Sequence, residues 1–177
     1  EMHYDHGQPL GHVVAFYPSG AKAEEGDFEG GLKQGAWKNW YESGALLREG
    51  AFAAGVPVAA TVDYWENGNK KQEGLFSAEN TPTGPWKFYL ETGQLQNEGQ
   101  FENGIKIGPW IEYWENGHKR SEGAFADNLA NGPWKHYHES GAVFREGSYD
   151  KGNQVGTWTA YYESGNKRAE GPFVDNV

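Results

Sequence analysis

Two files of carboxylates and a few histidines are the residues here whose types and spacing suit chemistry. Glu25, Glu49, Glu73, Glu98, Glu122, Glu146 and Glu170 recur at near-constant intervals, and Glu42, Glu66, Glu91, Glu115, Glu139 and Glu163 form a second file. Paired carboxylates do acid/base work on glycosides or hold calcium. Catalysis, however, needs one specialised constellation, and a position repeated this often reads as structural. The expected partners of the two files are Lys38, Lys87 and Lys135, or Arg48, Lys71, Arg120 and Arg168. His136 and His138 stand two apart, a strand-face spacing known among metal ligands, with no third ligand evident. Glu1-Met2-His3 would offer an amine, two backbone nitrogens and the His3 imidazole to Cu(II) or Ni(II), provided that Glu1 is a free terminus. The favoured reading is a solvated histidine pair, with no metal and no cofactor. No P-loop, dinucleotide fingerprint, nucleophile elbow or zinc cluster occurs. The sequence therefore predicts a protein that is not an enzyme.

What positions these residues is a repeat. Gly108-Pro-Trp-Ile-Glu-Tyr-Trp-Glu-Asn-Gly-His-Lys-Arg-Ser-Glu-Gly-Ala-Phe125 returns in kind from Gly35, Gly84, Gly132 and Gly156, with looser copies from Gly11 and Ala59. The starts at 11, 35, 59, 84, 108, 132 and 156 give a period of 24 with one insertion near Asn80–Thr83. A fixed period of this length marks a repeat architecture. Residues 1–10 read as an N-terminal cap segment and 11–177 as seven repeats in one continuous domain. Copies one and three are degraded, with Val13 and Thr61 in place of tryptophan and Pro57 ahead of the third. The third copy predicts a local bend or a weaker segment.

Each copy reads as a β-hairpin. Asn67-Gly68 and Asn116-Gly117 suggest a two-residue type I′ turn. Counting back from such a turn at Ser43-Gly44 places Trp40 opposite Leu47, Lys38 opposite Glu49 and Trp37 opposite Gly50. The same count pairs Trp86 with Gly99, Trp110 with Gly123, Trp134 with Gly147 and Trp158 with Gly171. A bare mid-strand glycine is weak, and a tryptophan lying across it would cover the backbone. Two aromatic rows flank the turn. Phe16, Trp40, Tyr64, Tyr89, Tyr113, Tyr137 and Tyr161 are aromatic without exception; the next position holds Tyr17, Tyr41, Trp65, Leu90, Trp114, His138 and Tyr162. The first row predicts packing. The second, on the other face, nominates Tyr41, Trp65, Trp114, His138 and Tyr162 as a binding row.

Composition agrees with a thin aromatic core. Leu, Ile, Val and Phe make up less than a fifth of 177 residues and the net charge is −10, which normally warns of disorder. Eight Trp, ten Tyr and nine Phe recurring in register outweigh that warning. The acidic balance argues against nucleic acid and anionic lipid as main partners. No run is apolar enough to span a membrane. Without cysteine there is no disulfide framework. The start at Glu1-Met2 reads as cleavage after export or as a fragment boundary, and export to the periplasm or cell surface is the expectation over a cytoplasmic setting.

Gly-x-Trp-x-x-Tyr-Trp-Glu-Asn-Gly followed by Glu-Gly-x-Phe resembles the MORN-repeat variant found in tandem in bacterial proteins, over about residues 11–173. The resemblance implies an all-β, elongated and twisted antiparallel sheet of consecutive hairpins. It implies a scaffold, a dimerisation module or an antitoxin-type component, and it brings no catalytic residue. The expected function is a non-enzymatic protein-binding module displaying aromatic and acidic side chains, its partner a protein such as a basic toxin, or a second copy. Competing readings are a self-assembling structural or cell-surface protein and a glycan-binding surface protein.

Overall fold

The computed structural model describes residues 3–5 and 7–173, with side chains from residue 7 onward. Among them there is no helix, and the chain forms two compact units, Glu1–Gly93 and Gln94–Val177. The first unit holds β1 (His3–Asp5), β2 (Gln8–Phe16), β3 (Lys22–Glu29), β4 (Leu32–Trp40), β5 (Leu46–Ala53), β6 (Val56–Pro57), β7 (Thr61–Tyr64), β8 (Lys70–Phe76) and β9 (Pro82–Tyr89). The second holds β10 (Leu95–Glu102), β11 (Ile105–Tyr113), β12 (Lys119–Ala126), β13 (Leu129–Tyr137), β14 (Val143–Asp150), β15 (Asn153–Tyr161) and β16 (Lys167–Phe173). Within each unit consecutive strands pair antiparallel, and only β6 lies off the path, beside β5. The all-β hairpin repeat is as expected.

The hairpin turns differ from expectation. At the Asn-Gly and Ser-Gly sites the loop has three residues, not two. Gly44 donates to the Tyr41 carbonyl at 2.9 Å and Tyr41 to the Ala45 carbonyl at 2.8 Å. Gly44 has φ 91°, whereas Asn67 and Asn116 are not among the residues of positive φ that a type I′ turn would require there. This is a type I turn closed by a left-handed glycine. The pairing Trp37↔Gly50 and Lys38↔Glu49 nevertheless holds, but Trp40 faces Leu46 instead of Leu47. Leu47 is bulged out, and this one-residue bulge cancels the extra loop residue.

Type I′ geometry occurs at the other strand ends. Asn103 (φ 49°) and Gly104 (φ 80°) join β10 to β11, and Asp127 (φ 51°) and Asn128 (φ 65°) join β12 to β13. The insertion in the repeat falls on a connection of this set. Asn80 takes φ 59° there and donates to the Ser77 carbonyl, making the loop one residue longer.

The core is the tryptophan file. Trp37, Trp86, Trp110, Trp134 and Trp158 are all buried, with Val13 and Thr61 in the same register position also buried. Trp37 and Gly50 are cross-strand partners as counted, yet the indole does not cover that glycine. It lies on Gly26, the glycine of the preceding copy. Trp110 lies likewise on Gly99, Trp134 on Gly123 and Trp158 on Gly147. A two-residue bulge makes the approach possible. Between Gly123↔Trp134 and Ala124↔Asn131, the residues Gly132 and Pro133 have no counterpart on β12, so proline costs no ladder bond there. The indole N–H then takes the carbonyl of the residue after the glycine, as Trp134 does at Ala124 (3.1 Å) and Trp158 at Ser148 (3.2 Å).

Copy three breaks this pattern. With Thr61 for tryptophan and Ala59-Ala60 for the bulge residues, the strand splits into β6 and β7, both paired with β5. A local interruption was expected from Pro57, and the structure places it at residues 58–60.

The glycine contact sets a sharp test. A Cβ at Gly123 would stand 2.2 Å from the Trp134 ring, whereas one at Gly171 would meet nothing within 4 Å. Gly123→Ala is expected to destabilise by about 1–3 kcal/mol through overpacking. Gly171→Ala is expected to stay within about 0.5 kcal/mol of the parent. Urea unfolding of both variants checks this, and equal midpoints would contradict the packing account.

Candidate functional site

The inner carboxylate file is consumed by the fold. Glu122 accepts from Lys119 on its own strand (2.6 Å) and from the Tyr137 hydroxyl of the next copy. Glu73 does the same with Lys70 (2.6 Å) and Tyr89 (2.5 Å). Tyr64 reaches Glu49 (2.6 Å), Tyr113 reaches Glu98 (2.7 Å) and Tyr161 reaches Glu146 (2.8 Å). The expected pairs Lys38–Glu49 and Lys135–Glu146 form at 3.8 and 3.2 Å. Such half-exposed ion pairs contribute little singly; their use lies in registering one hairpin on the next.

The titration behaviour agrees with this role. Lys119 and then Tyr137 hold the Glu122 carboxyl below its ordinary 4.5, and Lys70 with Tyr89 does so for Glu73. Burial and the glutamate bond push the Tyr64, Tyr113 and Tyr137 hydroxyls up to about 12, so they remain donors. A general acid needs the opposite shift, a carboxyl kept protonated near neutrality. These carboxylates are therefore anionic clamps.

The proposed binding row is less free than the sequence suggests. Tyr41 donates to the Tyr64 carbonyl (2.8 Å), Trp65 to that of Tyr89 (3.2 Å) and Trp114 to that of Tyr137 (3.1 Å). His138 Nε2 meets the Tyr161 carbonyl at 3.2 Å. These four are half-buried, and each ties its turn to the next copy. Tyr162 is 55 % exposed. The turn asparagines act in the same direction: Asn116 caps its own turn through His118 N–H and donates to the Glu139 carbonyl at 2.7 Å. Asparagine is used for this bridge, not for a positive φ. Lys71 and Arg120 stand over Trp65 and Trp114 instead of pairing with glutamates.

The two histidines are engaged separately. His136 lies between Trp134 and Trp158, ring centroids 6.1 and 6.0 Å away, and burial followed by the nearby Arg145 lowers its pKa. His138 packs edge-on against Phe144. Among the described residues no group of three or more His, Asp or Glu could hold a metal ion. The Glu1 and His3 side chains lie outside the described residues.

The outer file differs in kind. Glu42, Glu66, Glu91, Glu115, Glu139 and Glu163 occupy the first loop position of each three-residue turn, and all are exposed. Among the described residues, the one basic group within 4 Å of this file is the His138 imidazole, 3.9 Å from Glu163. Within each unit these carboxylates recur every two strands, about 10 Å apart. Sequence reading missed the Arg48–Asp63–Gln72 network, in which Arg48 donates to both Asp63 oxygens at 2.5 and 2.7 Å. No sequence signal marked it, because the burial of Asp63 belongs to this copy alone.

A family model described as MORN repeat variant matches residues 33–53, 82–103, 106–127, 130–151 and 154–175. The chain belongs to this family. No curated protein matches it significantly. Each MORN match is one hairpin with a three-residue turn, and the two copies outside the matches are those in which Val13 and Thr61 replace the core tryptophan.

The clamp makes acid stability testable. A depressed folded pKa gives stability that is present above the ordinary 4.5 and lost as pH falls through the lower folded value. Tyr137→Phe is expected to raise the Glu122 pKa, to destabilise by about 1 kcal/mol near neutral pH, and to flatten the acid limb within that window. Carboxyl NMR titration with urea unfolding at several pH values measures both effects.

Proposed function

We propose that this MORN repeat protein is a non-enzymatic binding scaffold whose outer glutamates recruit a basic protein. The observation that carries this reading is the division of the carboxylates. The inner file is bonded to lysine and tyrosine, while the outer file stands exposed on the turns at regular intervals. Contacts of this kind are weak one by one and add along a row, and charge selects the partner more than it tightens the complex. A net charge of −10 favours a basic partner, and a basic toxin is one protein of that chemistry. Tyr41, Trp65, Trp114, His138 and Tyr162 sit beside these turns and would supply apolar contact at the rim.

A second reading, self-association, draws on the opposite strand ends. Leu32 and Val56 in the first unit, and Ile105 and Leu129 in the second, come just after the tight connections and are 38–49 % exposed. An apolar row of this kind suits another copy of the chain.

The two readings separate in solution. The native protein is expected to retain one stoichiometric basic partner at low salt, and Glu115→Gln/Glu139→Gln/Glu163→Gln to lose it, because the turns do not depend on those side chains. A partner held equally by both baits and insensitive to salt would refute the acidic-row reading. Light scattering that rises with concentration, and falls in Leu32→Lys/Leu129→Lys, would put self-association in its place.

A further inference from the structure

The copies of the repeat supply their own comparison at the one place where the tryptophan is missing inside the stack. On Gly26, Gly74, Gly99, Gly123 and Gly147, ring carbons of an indole stand 2.1–2.7 Å from where a Cβ would be. On Gly50 the corresponding neighbour is Thr61, whose Oγ1 stands 3.1 Å away. Threonine reaches only the first atoms of the space an indole covers. The hydrogen bond that an indole would make is nonetheless satisfied. Ala51, the residue after Gly50, accepts from the Val58 N–H at 2.9 Å. Val58 stands opposite Ala51 as Asn131 stands opposite Ala124, so the backbone pairing of the other copies is kept and only the ring volume stays open.

That volume is a cavity of about 260 Å³ in the first unit, floored by Gly50 and Thr61 and walled by Trp37, Phe52 and Phe76. The charged residues lining it are Lys33 and Arg48, and no carboxylate lines it. The carboxylates nearest to them, Glu24 and Asp63, stand outside the lining. Arg48 is committed to Asp63 through two bonds. Lys33 is held more loosely: its Nζ lies 3.7 Å from Glu24 and 3.8 Å from the Trp37 ring centroid.

We propose that this cavity binds a small aromatic carboxylate, with its ring on Gly50 and Thr61 and its carboxylate on Lys33. The ring is argued from the fold's own solution, since an aromatic on bare glycine fills this position in five other copies. The size agrees, lying below the roughly 300–1,000 Å³ of pockets for drug-sized ligands. The anion is argued from the two cations and the absence of a lining carboxylate. The inference is independent of the binding-scaffold reading, because the outer glutamates are not part of the cavity.

The test is an amide NMR titration with phenylacetate and, as the uncharged counterpart, benzyl alcohol. Phenylacetate is expected to shift the Gly50 and Thr61 resonances in a saturable way, with Kd at least about tenfold below that of benzyl alcohol. Lys33→Gln is expected to remove that preference while leaving benzyl alcohol binding in place. Thr61→Trp restores the repeat's own residue and is expected to abolish both. Unchanged Gly50 and Thr61 resonances, equal affinity for the two probes, or binding retained in a folded Thr61→Trp protein would each overturn the proposal. If Thr61→Trp does not fold, Lys33→Gln decides.

Discussion

An indole lying flat on a bare glycine is the contact on which the remaining structure depends. Without the glycine the ring cannot approach, and without the ring the glycine leaves a gap in the strand. The approach also requires the two-residue bulge, which accounts for the glycine and proline two and one residues ahead of Trp86, Trp110 and Trp134. Phenylalanines and a tyrosine then meet each indole edge-on. In the second unit Phe101, Trp110, Phe125, Trp134, Tyr149, Trp158 and Phe173 form an unbroken series with centroids 5.1–6.0 Å apart. Such pairs contribute about 0.5–1.5 kcal/mol each beyond area burial. A chain with few aliphatic residues thereby acquires a core.

The polar side chains obey the same logic of neighbour on neighbour. Tyr137 to Glu122, Trp114 to the Tyr137 carbonyl and Asn116 to the Glu139 carbonyl all join one copy to the next, 15 to 23 residues away. Stability in such an array is a sum of hairpin terms and nearest-neighbour terms. The recurring tryptophans, tyrosines and inner glutamates are therefore spoken for. The row of turn glutamates on one side and the exposed apolar residues on the other are left over at regular intervals.

Copy three shows the effect of withdrawing the central contact. Thr61 cannot cover Gly50, the Ala51 carbonyl keeps its backbone donor from Val58, and the strand divides into β6 and β7. Arg48, Asp63 and Gln72 join β5, β7 and β8 beside this site with charge and hydrogen bonds. The result is a cavity with aromatic walls and a positive lining inside an acidic protein.

Much of this was legible from spacing alone. A period of 24, a glycine-ended turn and alternating aromatics determine hairpins, their order and most of their register, because strand pairing between adjacent hairpins is local and side chains alternate with a period of two. Lys38 opposite Glu49 and Trp37 opposite Gly50 emerged from counting residues. Three things did not. The turn type escaped because a three-residue loop with a bulge at Leu47 and a two-residue loop without one give the same distant register. The partner of each tryptophan escaped because every strand has two neighbours, and only the packed sheet decides that Trp37 lies on Gly26. The standing of the second aromatic row escaped for the same reason: variation from Tyr41 to Trp65 to His138 looked like freedom, yet each of these side chains can donate to the same carbonyl of the next copy. Sequence determined what each hairpin is; the tertiary structure decided which of its side chains the next hairpin uses.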